Sequence, residues 1–209
     1  MPVVTAITEQ ARDPNRRSVF IDGEYAFSMS LDQLLEHGVA VGDVLTEEQV
    51  AFLAEEGEVR RAKEYVLRLL GHRAYSESEV RRRLRRKQFS EQTVERAVEA
   101  VRRLGLIDDR QFAEAWVHSR AAAGQAGRRR VEWELRSRGV DRQVIEQTLA
   151  GYPEQAEFAS ALEVAQRRYE RLRDEEPEAV RRKLALFLQR RGFAYDDISK
   201  VLETILPPE

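Results

Sequence analysis

An internal repeat constrains the fold of this chain more than any other feature of its sequence. Residues 80–98, 131–149 and 184–202 align without gaps, and the copies lie 51 and 53 residues apart. Self-similarity at a nearly fixed period is typical of repeat proteins, in which one unit is too small to bury its apolar face alone. Five apolar positions agree in all three copies: Val80/Val131/Leu184, Leu84/Leu135/Leu188, Phe89/Val140/Phe193, Val94/Ile145/Ile198 and Val98/Leu149/Leu202.

Helix start and stop signals divide each repeat into three helices. In the first repeat, a helix over residues 59–70 is expected to stop at Gly71, because glycine often follows the last turn of a helix. The second helix begins after Ser76, with Glu79 three residues on as the other half of a capping box. The third begins after Ser90, whose side chain accepts a hydrogen bond from a free backbone N–H group.

The second and third repeats carry related signals. Asp108, with Gln111 three residues on, predicts a helix start, and Asp141 takes the capping position of the third helix in its repeat. Pro177 suits the first turn of a helix in the third repeat. Ala194 stands where the other two copies have a capping side chain, so we expect the start of that helix to be shifted.

The first 58 residues follow a different pattern. Residues 17–28 are rich in β-branched and aromatic side chains around Asp22-Gly23, a pair that supplies the positive φ angles of a tight β-hairpin. Residues 3–7 are a candidate third strand. A helical pattern starts at Asp32, and a second short helix fits Thr46–Glu55.

These patterns predict a mainly α chain of tandem three-helix repeats that form an elongated, curved array, with an N-terminal extension that contains a β-hairpin. We assign the extension to residues 1–58. The three repeats are assigned to residues 59–106, 107–152 and 153–209.

Composition argues against several functions. Cysteine is absent, which excludes disulfides, thiolate metal sites and cysteine nucleophiles. No stretch approaches the ~20 apolar residues needed to cross a bilayer, and no secretory pattern is visible, so we expect a cytoplasmic protein without membrane contact. The three histidines are widely spaced, and the acidic pairs 108–109 and 196–197 suit helix caps better than metal or acid–base chemistry. We expect no enzyme activity, cofactor or metal.

Charge is distributed unevenly along the chain. The whole sequence has a net charge of −2, but residues 1–58 carry −9, residues 59–152 carry +9 and residues 153–209 carry −2. A basic middle segment can bind phosphates or acidic protein surfaces. The alternative is that arginine only solvates helix surfaces.

Arginine runs on equivalent helices of the first two repeats form the candidate binding surface. On the helix after Ser76, Val80 and Leu84 define the buried side, and four arginines point away from it. Residues 128–130 are arginines at a helix start, where they oppose the helix dipole, so a bound phosphate or carboxylate would relieve the conflict. The candidate partner- or DNA-binding residues are Arg81, Arg82, Arg85, Arg86, Lys87, Arg128, Arg129, Arg130, Trp133 and Arg136.

Trp133 occupies the outward position that Arg82 holds in the first repeat and Leu186 in the third. One interpretation is that it packs on a neighbouring unit, as the flanks of repeats do. The other makes it an interface anchor or a stacking platform beside the arginines. The sequence leaves both interpretations open.

Two stretches carry a more specific pattern. Residues 106–117 read Leu-Ile-Asp-Asp-Arg-Gln-Phe-Ala-Glu-Ala-Trp-Val, and they are followed by Arg120, Gly127 and residues 135–140. This stretch resembles the central signature of the RecX family, modulators of the RecA recombinase. Residues 73–81 with Leu84 and Phe89 resemble the first repeat of that family. The resemblance covers about residues 59–205, and Gln88 stands where the family usually has glycine.

The resemblance implies a non-enzymatic regulator that binds the RecA filament on single-stranded DNA along its groove. Such a protein restrains ATP hydrolysis, strand exchange or filament growth. It further implies RecA and single-stranded DNA as partners, with duplex DNA as an open alternative, and we expect a monomer. A sequence-nonspecific DNA-binding protein built of helix-turn-helix-like units is the alternative, although no helix carries an obvious set of base-reading side chains.

Overall fold

The structure is a computed structural model that describes residues 1–11, 13–123, 126–151 and 154–206. The strands are β1 (Val4–Gln10), β2 (Asp13–Ile21) and β3 (Glu24–Ser30). The helices are α1 (Leu31–Glu36), α2 (Glu47–Leu70), α3 (Glu77–Arg86), α4 (Glu91–Arg103), α5 (Asp109–Ala123), α6 (Arg128–Ser137), α7 (Arg142–Ala150), α8 (Glu154–Tyr169), α9 (Pro177–Arg190) and α10 (Tyr195–Ile205).

The chain folds into two compact units. The first comprises Met1–Tyr75 and Glu79–Ile107, and the second comprises Ser76–Ser78 and Asp108–Glu209. The first unit therefore holds the sheet with α1, α2, α4 and most of α3, and the second holds α5 to α10. The mainly α fold with three-helix repeats, predicted from the sequence, is confirmed.

The predicted hairpin and the third strand are both present. The three strands form an antiparallel sheet in the order β1-β2-β3. Asp22 and Gly23 connect β2 to β3 with φ angles of 50° and 87°, as the Asp-Gly pair predicts. One face of the sheet is buried with residues of α1 and α2, in a core of Val4, Val19, Phe27, Met29, Leu34, Leu45 and Leu53.

Residues 47–70 form one continuous helix, so the expected break after residue 55 is wrong. The assigned boundary between the N-terminal extension and the first repeat falls inside α2. Gly57 is a buried residue of α2, at the point where Ser28 and Met29 of β3 lie against the helix. A Cβ on Gly57 would overlap the carbonyl oxygen of Ser28 and lie 3.2 Å from Cβ of Met29. Gly57 therefore permits close packing and does not end a helix.

The repeat alignment predicts the core correctly. All fifteen residues at the five shared apolar positions are buried. They lie in three separate clusters, one for each repeat. Because each repeat has its own cluster, the period found in the sequence corresponds to a unit of packing.

Most of the predicted helix starts are observed. Ser90 and Asp141 cap α4 and α7, and Asp108 Oδ1 accepts hydrogen bonds from two backbone N–H groups in the first turn of α5. Pro177 is the first residue of α9. The shift expected for the last helix is wrong, because α10 begins at the equivalent position, with Ala194 as an N-cap that makes no side-chain hydrogen bond. Its buried apolar face fixes the start without a capping side chain.

Candidate functional site

Two of the four outward arginines on α3 are held by carboxylates of α4. Arg81 forms an ion pair with Glu95, and only 20% of its side chain is exposed. Arg85 Nε donates to Glu91 Oε2 over 2.9 Å, and the hydrogen bond from Arg85 lowers the pKa of Glu91 below its ordinary value. These two guanidiniums are therefore neutralised within the first repeat.

The other three candidate residues of this helix and its end, Arg82, Arg86 and Lys87, are exposed. Arg82 and Arg86 have no ion-pair partner among the residues that the structure describes. Lys87 lies with Nζ 5.7 Å from the ring centroid of Tyr65. The positive charge that this surface offers to a partner is thus centred on Arg82 and Arg86.

The start of α6 already receives a carboxylate from within the chain. The backbone N–H of Arg128 donates to Oε1 of Glu157 over 2.9 Å, and Glu157 on α8 is only 5% exposed. Burial raises the pKa of this carboxyl above its ordinary value. The sequence predicted that a bound phosphate or carboxylate would lie at this helix start. For the N–H group of Arg128, that position is taken by the carboxyl group of Glu157 from the third repeat.

The start of α3 is likewise capped by a carboxyl group from another repeat. The backbone N–H of Glu77 donates to Oδ1 of Asp109 over 2.8 Å, and burial raises the pKa of Asp109. Residues 77 and 128 are equivalent in the repeat alignment. Asp108 thus caps its own helix, whereas its neighbour Asp109 caps α3, a role that sequence reasoning missed. The only signal for it was the doubled aspartate.

A second equivalent pair of contacts accompanies these caps. Ser76 Oγ donates to the carbonyl oxygen of Arg138 over 2.7 Å, and the N–H of Gly127 donates to the carbonyl oxygen of Arg191 over 2.9 Å. Positions 76 and 127 are equivalent, as are positions 138 and 191. The contact was not predicted for Ser76, which was assigned only to a capping box.

Glu134 is the centre of a network between α5 and α6. Its Oε2 accepts from Trp116 Nε1 over 3.0 Å and from Arg120 Nε over 2.8 Å, and its Oε1 accepts from Arg130 Nε over 3.1 Å. Burial alone would raise the pKa of Glu134, but these bonds together lower it below its ordinary value. Arg138 covers the ring of Trp116 at 3.9 Å from its centroid. The tryptophan, the arginines and the carboxylate therefore hold one another in place.

Trp133 projects beside this network. It is 56% exposed, so it is not buried on a neighbouring unit within the described chain. The guanidinium of Arg130 lies 4.5 Å from the centroid of its ring. Arg136 pairs with Glu132 over 2.6 Å, while the side chain of Arg129 is exposed without an ion-pair partner in the described residues. On α6 the structure thus joins Arg129, Arg130 and Trp133 into one exposed patch.

No group of three or more histidine, cysteine, aspartate or glutamate residues that could hold a metal ion is found in residues 1–11, 13–123, 126–151 and 154–206. Within those same ranges, the helices are too short or too polar to span a membrane.

Family models match nearly the whole chain in the order of its elements. The Regulatory protein RecX N-terminal domain matches residues 2–46, and the first, second and third three-helix domains of RecX match residues 62–99, 108–149 and 155–202. The chain belongs to the RecX family. The N-terminal sheet is thus part of the RecX pattern, although the sequence comparison of residues 59–205 did not reach it.

Curated relatives support this assignment over the full length. Proteins named Regulatory protein RecX from Clostridium botulinum strain Alaska E43 and Clostridium acetobutylicum are 28% and 29% identical, each over 97% of this chain and 96% and 95% of their own length. The protein of that name from Clostridioides difficile is 25% identical over 99% of this chain and 97% of its own.

Two solved structures share the fold. A crystal structure of regulatory protein RecX aligns with a TM-score of 0.74 and 22% identity, covering 96% of this chain and 98% of the other. The crystal structure of RecX from Lactobacillus salivarius aligns with a TM-score of 0.64 and 20% identity, covering 71% of this chain and 96% of the other.

Proposed function

We propose that this RecX-family chain is a non-enzymatic cytoplasmic regulator that binds the RecA filament on single-stranded DNA along its groove and restrains RecA-catalysed ATP hydrolysis, strand exchange or filament growth. Membership of the RecX family over the whole chain carries this proposal. We expect the chain to act as a monomer.

Exposed arginines without internal partners support a contact with an anionic assembly. Arg82, Arg86 and Arg129 lie on equivalent helices of two successive repeats, and none has a carboxylate partner among the described residues. An unpaired surface guanidinium binds carboxylates and phosphates in two-point geometry. The paired arginines, by contrast, would first have to release an internal carboxylate.

The test is RecA-catalysed ATP hydrolysis on single-stranded DNA, with the chain titrated from substoichiometric to stoichiometric ratios. We expect the rate of ATP hydrolysis to fall already when the chain is present at well below one copy per RecA monomer. The triple variant Arg82→Glu, Arg86→Glu and Arg129→Glu should lose this inhibition while its circular dichroism spectrum and Tm stay unchanged.

A matched triple variant controls for net charge. Arg103→Glu, Arg110→Glu and Arg142→Glu change the charge equally at exposed arginines that pair with carboxylates of their own helices. It should inhibit RecA almost as the wild-type chain does. Equal loss in both triples would mean that only net charge matters, and no inhibition by the wild-type chain would refute the proposal.

A DNA-binding protein without RecA is the second candidate, and the exposed Trp133 with Arg130 on its ring favours it. Aromatic rings beside arginines are stacking platforms for single-stranded bases. Tight, salt-dependent binding of the chain to bare DNA, combined with no effect on RecA, would select this candidate.

A further inference from the structure

A cleft in the third repeat collects four arginines that the sequence analysis did not single out. It has a volume of about 210 Å³ and lies between α8 and the C-terminal half of α9, within the second unit. Two apolar residues and four arginines line it: Val164, Arg167, Arg168, Arg171, Phe187 and Arg191.

An aromatic ring holds two of these guanidiniums in place. Arg191 lies 4.6 Å and Arg168 5.7 Å from the centroid of the Phe187 ring. Contact with an aromatic face fixes the plane of a guanidinium without using its N–H groups. Nε of Arg168 is buried and has no hydrogen-bond partner among the residues that the structure describes. A buried donor without an acceptor is rare in folded proteins and points to a ligand or a water at this position.

Two arginines of the cleft, Arg167 and Arg171, differ in how their charge is compensated. Arg167 pairs with Glu163 on the same helix. Arg171 has no ion-pair partner among the described residues, since the nearby Glu170 pairs with Arg173 instead. Arg167 and Arg168 near the end of α8 and Arg171 just beyond it line the same cleft, and their like charges repel one another. Among the described residues no carboxylate offsets the charge of Arg171, so a further anion in the cleft would lower the repulsion there.

We propose that this cleft binds a phosphate group of the single-stranded DNA backbone. A phosphate offers several oxygens in a tetrahedral arrangement, which can accept from guanidiniums on three sides, whereas a carboxylate presents two oxygens in one plane. A single strand is flexible enough to bring its phosphate into a cleft. The proposal uses none of the arginines on α3 and α6, and DNA binding can be measured without RecA.

The test is fluorescence anisotropy of a labelled oligothymidylate of about 20 nucleotides, titrated with the full chain at several salt concentrations. Arg171→Gln removes a cleft guanidinium that is exposed and unpaired. Arg173→Gln, two residues away, removes an exposed charge outside the cleft and serves as the matched control. We expect Arg171→Gln to weaken binding about fivefold at 0.1 M salt and to reduce the log–log salt slope by about 0.7, the value for one phosphate contact on a single strand.

The control should keep the wild-type slope. Arg168→Gln should act like Arg171→Gln, and if the partly buried Arg168 variant does not fold, the exposed Arg171 position still decides the outcome. Inorganic phosphate at constant ionic strength should weaken DNA binding of the wild-type chain more than that of Arg171→Gln. Equal affinities and slopes for Arg171→Gln and Arg173→Gln would overturn the proposal.

The two proposals can fail separately. If Arg171→Gln loses DNA affinity while RecA is not inhibited even by the wild-type chain, the cleft assignment stands and the RecA proposal falls. If Arg171→Gln binds DNA normally but inhibits RecA less, the cleft binds a carboxylate of the protein, and the phosphate assignment is wrong.

Discussion

The turn that ends the second helix of a repeat is built in two ways in this molecule, and the first repeat differs from the third. Gln88 and Gly192 take φ angles of 63° and 82° at equivalent positions. Both turns have the same hydrogen bonds, since Phe89 N–H donates to the carbonyl of Leu84 and Phe193 N–H donates to the carbonyl of Leu188, each over 3.3 Å.

The difference lies in what surrounds the turn. Gln88 is exposed. A Cβ on Gly192 would instead lie 2.5 Å from Cβ of Arg130 and nearer still to its backbone nitrogen. The space around Gly139 is intermediate between these two cases. A Cβ added to Gly139 would lie 2.5 Å from Cβ of Ser78, which belongs to a side chain and not to the backbone. A left-handed turn favours glycine at any of these positions, but only a backbone neighbour makes it obligatory.

Gly192→Gln should have the largest effect. The new side chain would overlap the backbone of α6 and would also be strained at a positive φ angle, so the free energy of unfolding should fall by about 2–4 kcal/mol. Urea unfolding followed by circular dichroism measures it. A variant as stable as the wild-type chain would show that α6 can move away from residue 192 at no cost. Positions 88 and 192 would then not differ in their need for glycine.

Gly139→Gln should cost less, about 1–3 kcal/mol, because the neighbouring atoms belong to the Ser78 side chain. Adding Ser78→Gly should recover part of the loss in a double-mutant cycle measured by urea unfolding. No comparable rescue exists at Gly192, where the neighbour is backbone. Strictly additive losses would mean that Ser78 does not limit this turn.

Glu157→Gln tests how α6 is held close to Gly192, and it should change stability by about 1 kcal/mol in a pH-dependent way. Burial raises the pKa of Glu157 in the folded chain. Its contribution is therefore fully present below the ordinary glutamate pKa and is lost as pH rises through the raised folded pKa. The amide side chain of the Glu157→Gln variant does not titrate, so the variant does not lose this contribution. The free energy of unfolding of the variant, relative to that of the wild-type chain, should therefore increase as pH rises from the ordinary glutamate pKa to the raised pKa of folded Glu157. Unfolding curves at several pH values measure the difference, and parallel profiles would contradict it.

Gln88→Gly should have the smallest effect, a gain of about 0.5 kcal/mol. Relief of strain at positive φ slightly exceeds the entropy that glycine adds to the unfolded chain. Differential scanning calorimetry should show a small rise in Tm. A loss of stability would show that the Gln88 side chain makes a contact that offsets its strain.

Local rules were enough for much of the fold. The apolar period placed residues such as Leu84, Leu135 and Leu188 in three cores, and the Asp-Gly pair placed the hairpin turn. The local signal failed at Gly57, which reads as a breaker in sequence and packs against β3 in the fold. It failed again at Ala194, where an apolar face set a helix start without a cap.

The candidate site was predicted less completely, because the sequence shows which charges are outward but not which are paired. Arg81 and Arg85 point outward as expected, yet α4 supplies their carboxylates. The sequence left open whether Trp133 packs on a neighbouring repeat or stays exposed, and the structure shows that it is exposed. The cleft around Phe187 joins residues of two helices, and neither helix alone contains an unusual arginine run.

By itself, the sequence determined the repeat, the periodicity of each helix, most caps and the RecX resemblance, because all of these follow from the order and spacing of residue types along the chain. Only the tertiary structure decided that Asp109 and Glu157 cap the helices of other repeats, that Gly192 must be glycine, and which arginines remain unpaired. Those outcomes depend on atoms brought within a few ångströms from distant parts of the chain, and the spacing of residues in a sequence does not report such distances.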